Sequence, residues 1–194
     1  MDKRQLRSRL RRVRNEIPGR RRRLAGERVL QVALREKLLQ RHRRIGFYLP
    51  FEGELDLLPL LNRALWLGKK CYLPVVPRRF QRQLKFSRLS SRRSWYLNRF
   101  GIHEHWSPKM VRARQLDLLF VPLVGFDESG YRLGMGGGFY DASLAYLRRR
   151  TSWRKPRLVG VGYECQKVAK VPHDPWDMPL DAVLTEARLY RTRR

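Results

Sequence analysis

The sequence predicts a single α/β domain over residues 1–194, with a largely parallel sheet flanked by helices. Three observations point there. Apolar strand-like runs alternate with helical patterns along the chain, the arrangement of strands laid side by side with helices packed over them. The run LDLLFVPLVGFD (116–127) is almost continuously apolar, as a strand buried on both faces must be. Hydrophobic residues make up 42% of the 194, enough for one medium core, and no linker or internal repeat divides them.

Each element has its own signal. Leu6, Leu10, Val13 and Ile17 share one helical face, and Pro18-Gly19 ends that helix. Leu24, Leu30, Leu34 and Leu38 mark a second helix. RRIGFYLP (43–50) reads as a buried strand, FEGELD (51–56) as a loop, and LLPLLNRALWLG (57–68) as a helix closed by Gly68. KKCYLPVV (69–76) is the next strand. Residues 78–99 are basic, polar and irregular, with a short strand expected at Leu84 to Phe86. Beyond the strand at 116–127 come a glycine run and a helix over 141–150. RLVGVGYE (157–164) and DAVLTE (181–186) are the last strands.

Composition narrows the function. No apolar run approaches the ~20 residues that cross a bilayer, and MDKRQLRSRLRRVRNEIPG has no apolar stretch of a secretory signal. Two cysteines, Cys71 and Cys165, make neither a disulfide framework nor a zinc quartet. A cytoplasmic monomer without membrane contact is expected. The charge is unusual: 44 Lys and Arg against 17 Asp and Glu, formally +27. Residues 1–44 hold 17 basic and 4 acidic side chains, whereas 117–186 hold nine of each. Such an excess invites a nucleic-acid partner, because neutralising phosphates drives non-specific binding. No RNP, zinc-finger or homeodomain pattern accompanies it, so a solvated Arg-rich surface is the plainer reading.

The run FDESGYRLGMGGGFYDASLAYL (126–147) carries the chemistry. Four glycines fall between Gly134 and Gly138, after the strongest strand and before a helix pattern. In open α/β sheets ligands bind beyond the C-terminal strand ends, and backbone N–H groups in such a loop form a concave anion site. Arg132 can add a bidentate grip on phosphate oxygens. There is no Gly-Lys-Ser/Thr ending, and Phe139 stands where G-x-G-x-x-G needs its last glycine, so neither stock phosphate loop fits. Asp141 either caps the following helix or holds Mg²⁺, which takes one or two carboxylates with phosphate oxygens and water. HEH (103–105) would place both histidines on one face of a strand, but it lacks a third metal ligand at recognisable spacing. Cys71 reads as core and Cys165 as partly exposed. Trp95, Trp106, Trp153 and Trp176 are candidate pocket walls.

The ordered segments KRQLR, GFYLPFEGELD, PLVGFDESGYRLGMGGGFYD and HDPWDMPLDAVLTE resemble the 5-formyltetrahydrofolate cyclo-ligase family over nearly the whole chain. The resemblance implies the NagB/RpiA/CoA-transferase-like architecture. It also implies ATP- and Mg²⁺-dependent closure of 5-formyltetrahydrofolate, with or without a polyglutamate tail, to 5,10-methenyltetrahydrofolate. By that resemblance ATP contacts fall on Lys3, Arg4, Arg7, Arg132, Gly134, Met135, Gly136, Gly137, Gly138, Phe139 and Tyr140. Arg132 and Tyr140 are the catalytic candidates. Mg²⁺ falls on Asp141 and Asp177, and folate contacts on Leu49 and Glu54. Read alone, Lys3 and Arg7 are solvated neighbours on one helical face, Asp177 is a turn acid, and Glu54 is a first-turn acid. Met135 and Gly137 replace an Arg and a Lys that some members carry, so phosphate neutralisation leans on backbone N–H groups, Lys3, Arg7 and Arg132. His105 stands where many members have proline.

Overall fold

The first helix begins with a reciprocal cap. The Asp2 carboxylate accepts a 2.7 Å bond from the Gln5 N–H, and the Gln5 side chain accepts the Asp2 N–H at 3.3 Å, a device that stabilises a helix by about 1 kcal/mol. A computed structural model describes residues 2–77, 80–90, 94–149 and 155–192 of the chain. In it, α1 is Lys3–Asn15 and α2 is Gly19–Arg35. Leu6 and Leu10 of α1 are buried as expected, but the third buried side chain is Arg14, while Val13 is half-buried. The core face of α2 is Ala25, Val29, Val32 and Ala33 rather than the leucine series. Leu24 is 48% exposed, and Leu38 lies beyond the helix. Leu30 and Leu34 pack half-buried beside that face, and the backbones approach closely at Gly26, where a Cβ would fall 2.9 Å from Asp56 O.

Next come β1 (Arg44–Gly46), α3 (Leu58–Trp66) and β2 (Lys70–Val75). The ladder of β1 is shorter than the expected 43–50, since after the Phe47 N–H bonds Tyr72 O at 2.8 Å the chain leaves the sheet. Gly68 closes α3 at φ 69°. Four short strands then occupy the stretch read as irregular and the residues just after it: β3 (Lys85–Arg88), β4 (Trp95–Leu97), β5 (His103–His105) and β6 (Met110–Arg112). Residues 78, 79 and 91–93 of that stretch, and Trp153, lie outside the described residues.

The predicted strand at 116–127 is two elements, β7 (Leu118–Pro122) and β8 (Gly125–Phe126). Leu118, Leu119, Phe120 and Val121 have no exposed surface, as their unbroken apolar run requires. β8 pairs with β9 (Arg132–Leu133) in a separate hairpin. The helix after the glycines, α4, is Phe139–Leu144, earlier and shorter than 141–150, and tightens into a 3₁₀ turn over Ala145–Arg149. The chain ends in β10 (Arg157–Val161), β11 (Ala182–Leu184) and an unexpected β12 (Leu189–Arg191).

Among the described residues eight strands form one sheet, in the order β12-β11-β10-β7-β1-β2-β3-β6. The five central strands, β11 to β2, are parallel, and β12 and β3 pair antiparallel at the flanks. The antiparallel additions are short and half polar, so periodicity alone does not mark them. The helices α2 and α3 cover one face through Val29, Ala33, Leu60 and Ala64, and Leu144 and Leu147 pack into the other. No helix among the described residues is long and apolar enough to cross a membrane. Much of the excess charge points outward from α1 and α2, where Arg4, Arg9, Arg12, Arg20, Arg21, Arg23 and Arg28 are exposed.

Candidate active site

Strand order decides where the site lies. From β1 the chain runs outward to β2, then returns to place β7 on the other side of β1, so the crossovers diverge between β1 and β7. That switch leaves a crevice at the C-terminal strand ends. A cavity of about 550 Å³ occupies it, bounded by Tyr48 and Leu49 after β1, Pro74 and Val76 at the end of β2, and Pro122 of β7.

The glycine segment forms one wall. Gly136 at φ 101° and Gly138 at φ 67° sit in left-handed backbone that side-chain-bearing residues rarely adopt. Their turns carry the chain past the cavity and into α4. Gly130, the first glycine of the run, serves a different purpose. Its carbonyl accepts the Leu180 N–H at 2.8 Å, tying the hairpin to the strand edge. Because α4 is so short, anion binding here rests on loop N–H groups and side chains rather than on a long helix dipole.

Helix α1 brings cations to this wall. Leu6 and Leu10 pack with Val124 and Leu133 of the β8–β9 region, which sets Arg7 Nε 2.8 Å from Gly134 O. Lys3 forms ion pairs with Asp174 and with Asp177, the latter at 2.8 Å. Burial acts to lower the Lys3 pKa, but the two carboxylates outweigh it and hold it above its ordinary value. Burial likewise acts to raise the Asp177 pKa, and Lys3, the Asp174 N–H and Arg132 reverse that into a net lowering. Arg132, its side chain 6% exposed, donates Nη1 to Met178 O at 2.9 Å and pairs Nη2 with Asp141. Asp141 is thus an ion-pair partner within α4 and not its cap; the cap position is Gly138.

The opposite wall is the turn 51–54. Glu54 Oε2 accepts the Phe51 N–H at 3.2 Å. Burial pushes its carboxyl up to about 7, against the pull of that N–H and of Arg14. Tyr140 faces the cavity nearby, and burial together with the Glu54 charge pushes its phenol well above its ordinary value. The third wall is the β4–β5 hairpin. Phe100 at its tip meets Phe139 edge-on with centroids 6.2 Å apart. Glu104 is buried and accepts bonds from the Val76 N–H at 2.8 Å, Asn98 Nδ2 at 2.7 Å and the Tyr96 hydroxyl.

Lys3, Arg7, Leu49, Glu54, Arg132, Gly134 to Tyr140, Asp141 and Asp177 all line this one cavity. Arg4 does not; it is exposed and lines an open groove on the outer side of α1 with Ser8, Arg11 and Arg12. Trp176 reaches the cavity, whereas Trp95 meets His105 edge-on and Trp106 is exposed. Sequence reading missed Asp174, Phe51, Asn98, Phe100 and Glu104. Asp174 had a signal, standing three residues before Asp177 in HDPWD. The hairpin residues had little, since only the fold swings them over the strand ends. The HEH strand puts His103 at the cavity edge and His105 in the core, its Nδ1 3.3 Å from Ser87 Oγ. Among the described residues no group of three His, Cys, Asp or Glu stands in a metal-holding arrangement. Cys71 is buried, with its thiol pushed up to about 12, and Cys165 is exposed.

The chain matches the 5-formyltetrahydrofolate cyclo-ligase family over residues 1–186. It is 39% identical over 153 residues to the 5-formyltetrahydrofolate cyclo-ligase of Escherichia coli K12, spanning 75% of this chain and 79% of that protein. To the enzyme of the same name from Haemophilus influenzae it is 35% identical over 188 residues, spanning 93% and 95%. Its fold superposes on the NMR structure of Aquifex aeolicus 5,10-methenyltetrahydrofolate synthetase with a TM-score of 0.84 at 32% identity, covering 100% of this chain and 94% of that one.

Proposed function

Because the chain belongs to the 5-formyltetrahydrofolate cyclo-ligase family and is a ligase, we propose that it closes 5-formyltetrahydrofolate to 5,10-methenyltetrahydrofolate at the expense of ATP. The observation that carries this reading is the single cavity in which a cation-lined glycine wall faces a wall bearing Glu54. One wall suits a triphosphate, and the other suits a pterin rich in N–H donors.

The formyl group of the substrate is an amide, a poor electrophile. Its oxygen attacks the γ-phosphorus and ADP leaves, so the oxygen becomes part of a phosphate leaving group. The neighbouring secondary amine of the folate then adds to the activated carbon and loses its proton. Phosphate departs with the former formyl oxygen, and the new C–N bond closes the ring. Such a sequence asks the protein for positioning and charge stabilisation rather than a nucleophile. Arg132, held by Met178 O and Asp141, and Lys3, held by Asp174 and Asp177, are cations fixed in place before the phosphates arrive. Arg7, anchored on Gly134 O, is the third. Tyr140 keeps its proton and so offers a hydroxyl donor between the walls.

Asp141 and Asp177 fit Mg²⁺ in chemistry. Both are oxygen donors at the cavity, and Asp141 Oδ2 and Asp177 Oδ1 are used by no hydrogen bond among the described residues. When bound beside the phosphates the ion would neutralise their charge and help orient them. These two residues, with water and phosphate oxygens, would hold it.

The test is the appearance of methenyltetrahydrofolate absorbance from 5-formyltetrahydrofolate, ATP and Mg²⁺, in the parent and in Asp141→Ala. Turnover in the parent and its loss, by about a hundredfold or more, in the variant is the expected result. A well-folded parent with no turnover would sink this reading. It would leave the nucleic-acid alternative, which rests on the exposed arginines of α1 and α2 outside the cavity.

A further inference from the structure

The apolar face that Leu6 and Leu10 begin on α1 is interrupted by a charge. Arg14 occupies the buried side of the helix with 0% exposure, two turns on from Leu6 and one from Leu10. Its Nη2 donates to Glu52 O at 2.9 Å. Nε and Nη1 are buried and have no hydrogen-bond partner among the described residues. A leucine would pack there without leaving N–H groups unmatched, and a buried guanidinium with two idle donors is costly by itself. Packing therefore does not account for Arg14.

Its surroundings do. The carbonyl it holds belongs to the turn that delivers Glu54 to the cavity, and Glu52 and Gly53 there lie at φ 46° and 81°. Arg11, earlier on the same helix, takes the Glu52 carboxylate at 2.7 Å from the outer side. Two arginines of α1 thus grip one turn, one at its backbone and one at its side chain. The opposite charge that acts most strongly on Arg14 is Glu54.

We propose that Arg14 is a positioning residue for the folate wall, fixing the shape of turn 51–54 and standing as the countercharge behind the Glu54 carboxylate that receives the pterin N–H groups. The proposal rests on the reading of Glu54 as a folate contact. The groups facing Glu54 are few: Arg14 from α1, Glu52 and the Phe51 N–H from its own turn, Tyr48 after β1 and Tyr140 from α4. Tyr48 already donates to Leu55 O at 2.8 Å, and Glu52 is of like charge. Arg14 is the cation in that set, and with the Phe51 N–H, the larger influence, it favours the ionised carboxylate against burial. Ligand binding, which brings N–H donors to Glu54, works in the same direction as Arg14 and so is coupled to it.

The experiment is the dissociation constant of 5-formyltetrahydrofolate, followed by tryptophan fluorescence between about pH 5.5 and 9. It is measured for the full chain, Arg14→Met, Arg14→Lys, Glu54→Gln and the Arg14→Met/Glu54→Gln pair. In the parent, binding weakens as pH falls through the Glu54 midpoint. Arg14→Met weakens binding about tenfold near pH 7 and moves that midpoint up by about one pH unit. Arg14→Lys restores the midpoint, because it returns the charge without the fork. Affinity for a non-hydrolysable ATP analogue stays at the parent value, and in the Glu54→Gln background Arg14→Met adds less than about twofold. Parent-like affinity and midpoint in folded Arg14→Met would overturn the proposal. So would a loss equal at every pH and undiminished without Glu54, or failure of both Arg14 variants to fold, each of which assigns Arg14 to the scaffold alone. Unchanged folate binding in Glu54→Gln is a different result: it removes the reading of Glu54 itself.

Discussion

The two main walls of the cavity solve opposite electrostatic problems. On the glycine wall the ion pairs are fixed: Arg132 with Asp141, and Lys3 with Asp174 and Asp177. On the 51–54 wall Glu54 makes no ion-pair contact among the described residues, and burial lifts it to about 7. The difference follows from what each wall would receive. A triphosphate brings several negative charges, so cations must be held in place, and the three carboxylates that fix Lys3 and Arg132 also offset their charge until a ligand engages it. A pterin brings neutral N–H donors, and a carboxyl poised near neutrality accepts them at little desolvation cost. Direct pairing gives position, while a carboxylate with its countercharge set behind it keeps adjustability.

Breaking the paired wall should have the largest effect. Arg132→Ala removes the guanidinium that joins Met178 O to Asp141 and leaves the Asp141 carboxylate without it. Steady-state kinetics should show kcat/KM lowered by about 10²–10³, with the folate dissociation constant within about threefold of the parent. An equal loss in folate binding would show that the walls are not separable.

A smaller effect is expected at the loop backbone. Gly138→Ala forces a Cβ onto a residue at φ 67°, although no atom lies within 4 Å of where that Cβ would be. The strain is about 1–2 kcal/mol, so the KM for ATP should rise roughly tenfold in titrations at saturating folate. An unchanged KM would mean that the left-handed turn is not needed for the nucleotide.

The smallest effect sharpens the unpaired wall. The Glu54 carboxyl is raised in the folded chain from 4.5 to about 7. The folded state therefore holds this proton more tightly than the unfolded state does. Its stabilising contribution is complete below pH 4.5, falls as pH rises from there to about 7, and is flat above. Relative to Glu54→Gln, the parent should lose on the order of 5 °C in Tm between about pH 4.5 and 7.5, read by thermal melts. A difference independent of pH would place the carboxyl at an ordinary value.

Much of this was legible in the residues. The continuous apolar run at 118–121 read as a central strand, because a strand buried on both faces hides consecutive side chains. Gly68, in left-handed backbone, ended α3 where its position said it would. The RLGMGGGFYD run marked a wall of the cavity. Other expectations failed for local reasons. The leucine series of α2 marked the helix but only part of its core face: Leu30 and Leu34 pack half-buried beside Ala25, Val29, Val32 and Ala33, and Leu24 is exposed. The helix at 141–150 started two residues early because Gly138, not Asp141, is its cap. The short antiparallel strands β4, β5, β6 and β12 left no periodic trace.

By itself the sequence determined the alternation of strands and helices, the central strand, the loop that must turn left-handed, and the charge types available. Those are properties of neighbours along the chain: periodicity, backbone freedom and side-chain identity. Only the tertiary structure decided which charges meet. Lys3 reaches Asp174 and Asp177 across more than 170 residues, Arg7 reaches Gly134 across 127, and Arg132, lining the cavity, meets Met178 O and Asp141 at once. Arg4, one residue from Lys3, is carried to the outer face by the helical pitch. Arg14, set apart in sequence only by its place four residues after Leu10, is buried because α1 packs with that face inward. An ion pair between distant segments depends on how helices lie on the sheet, and no local pattern encodes that.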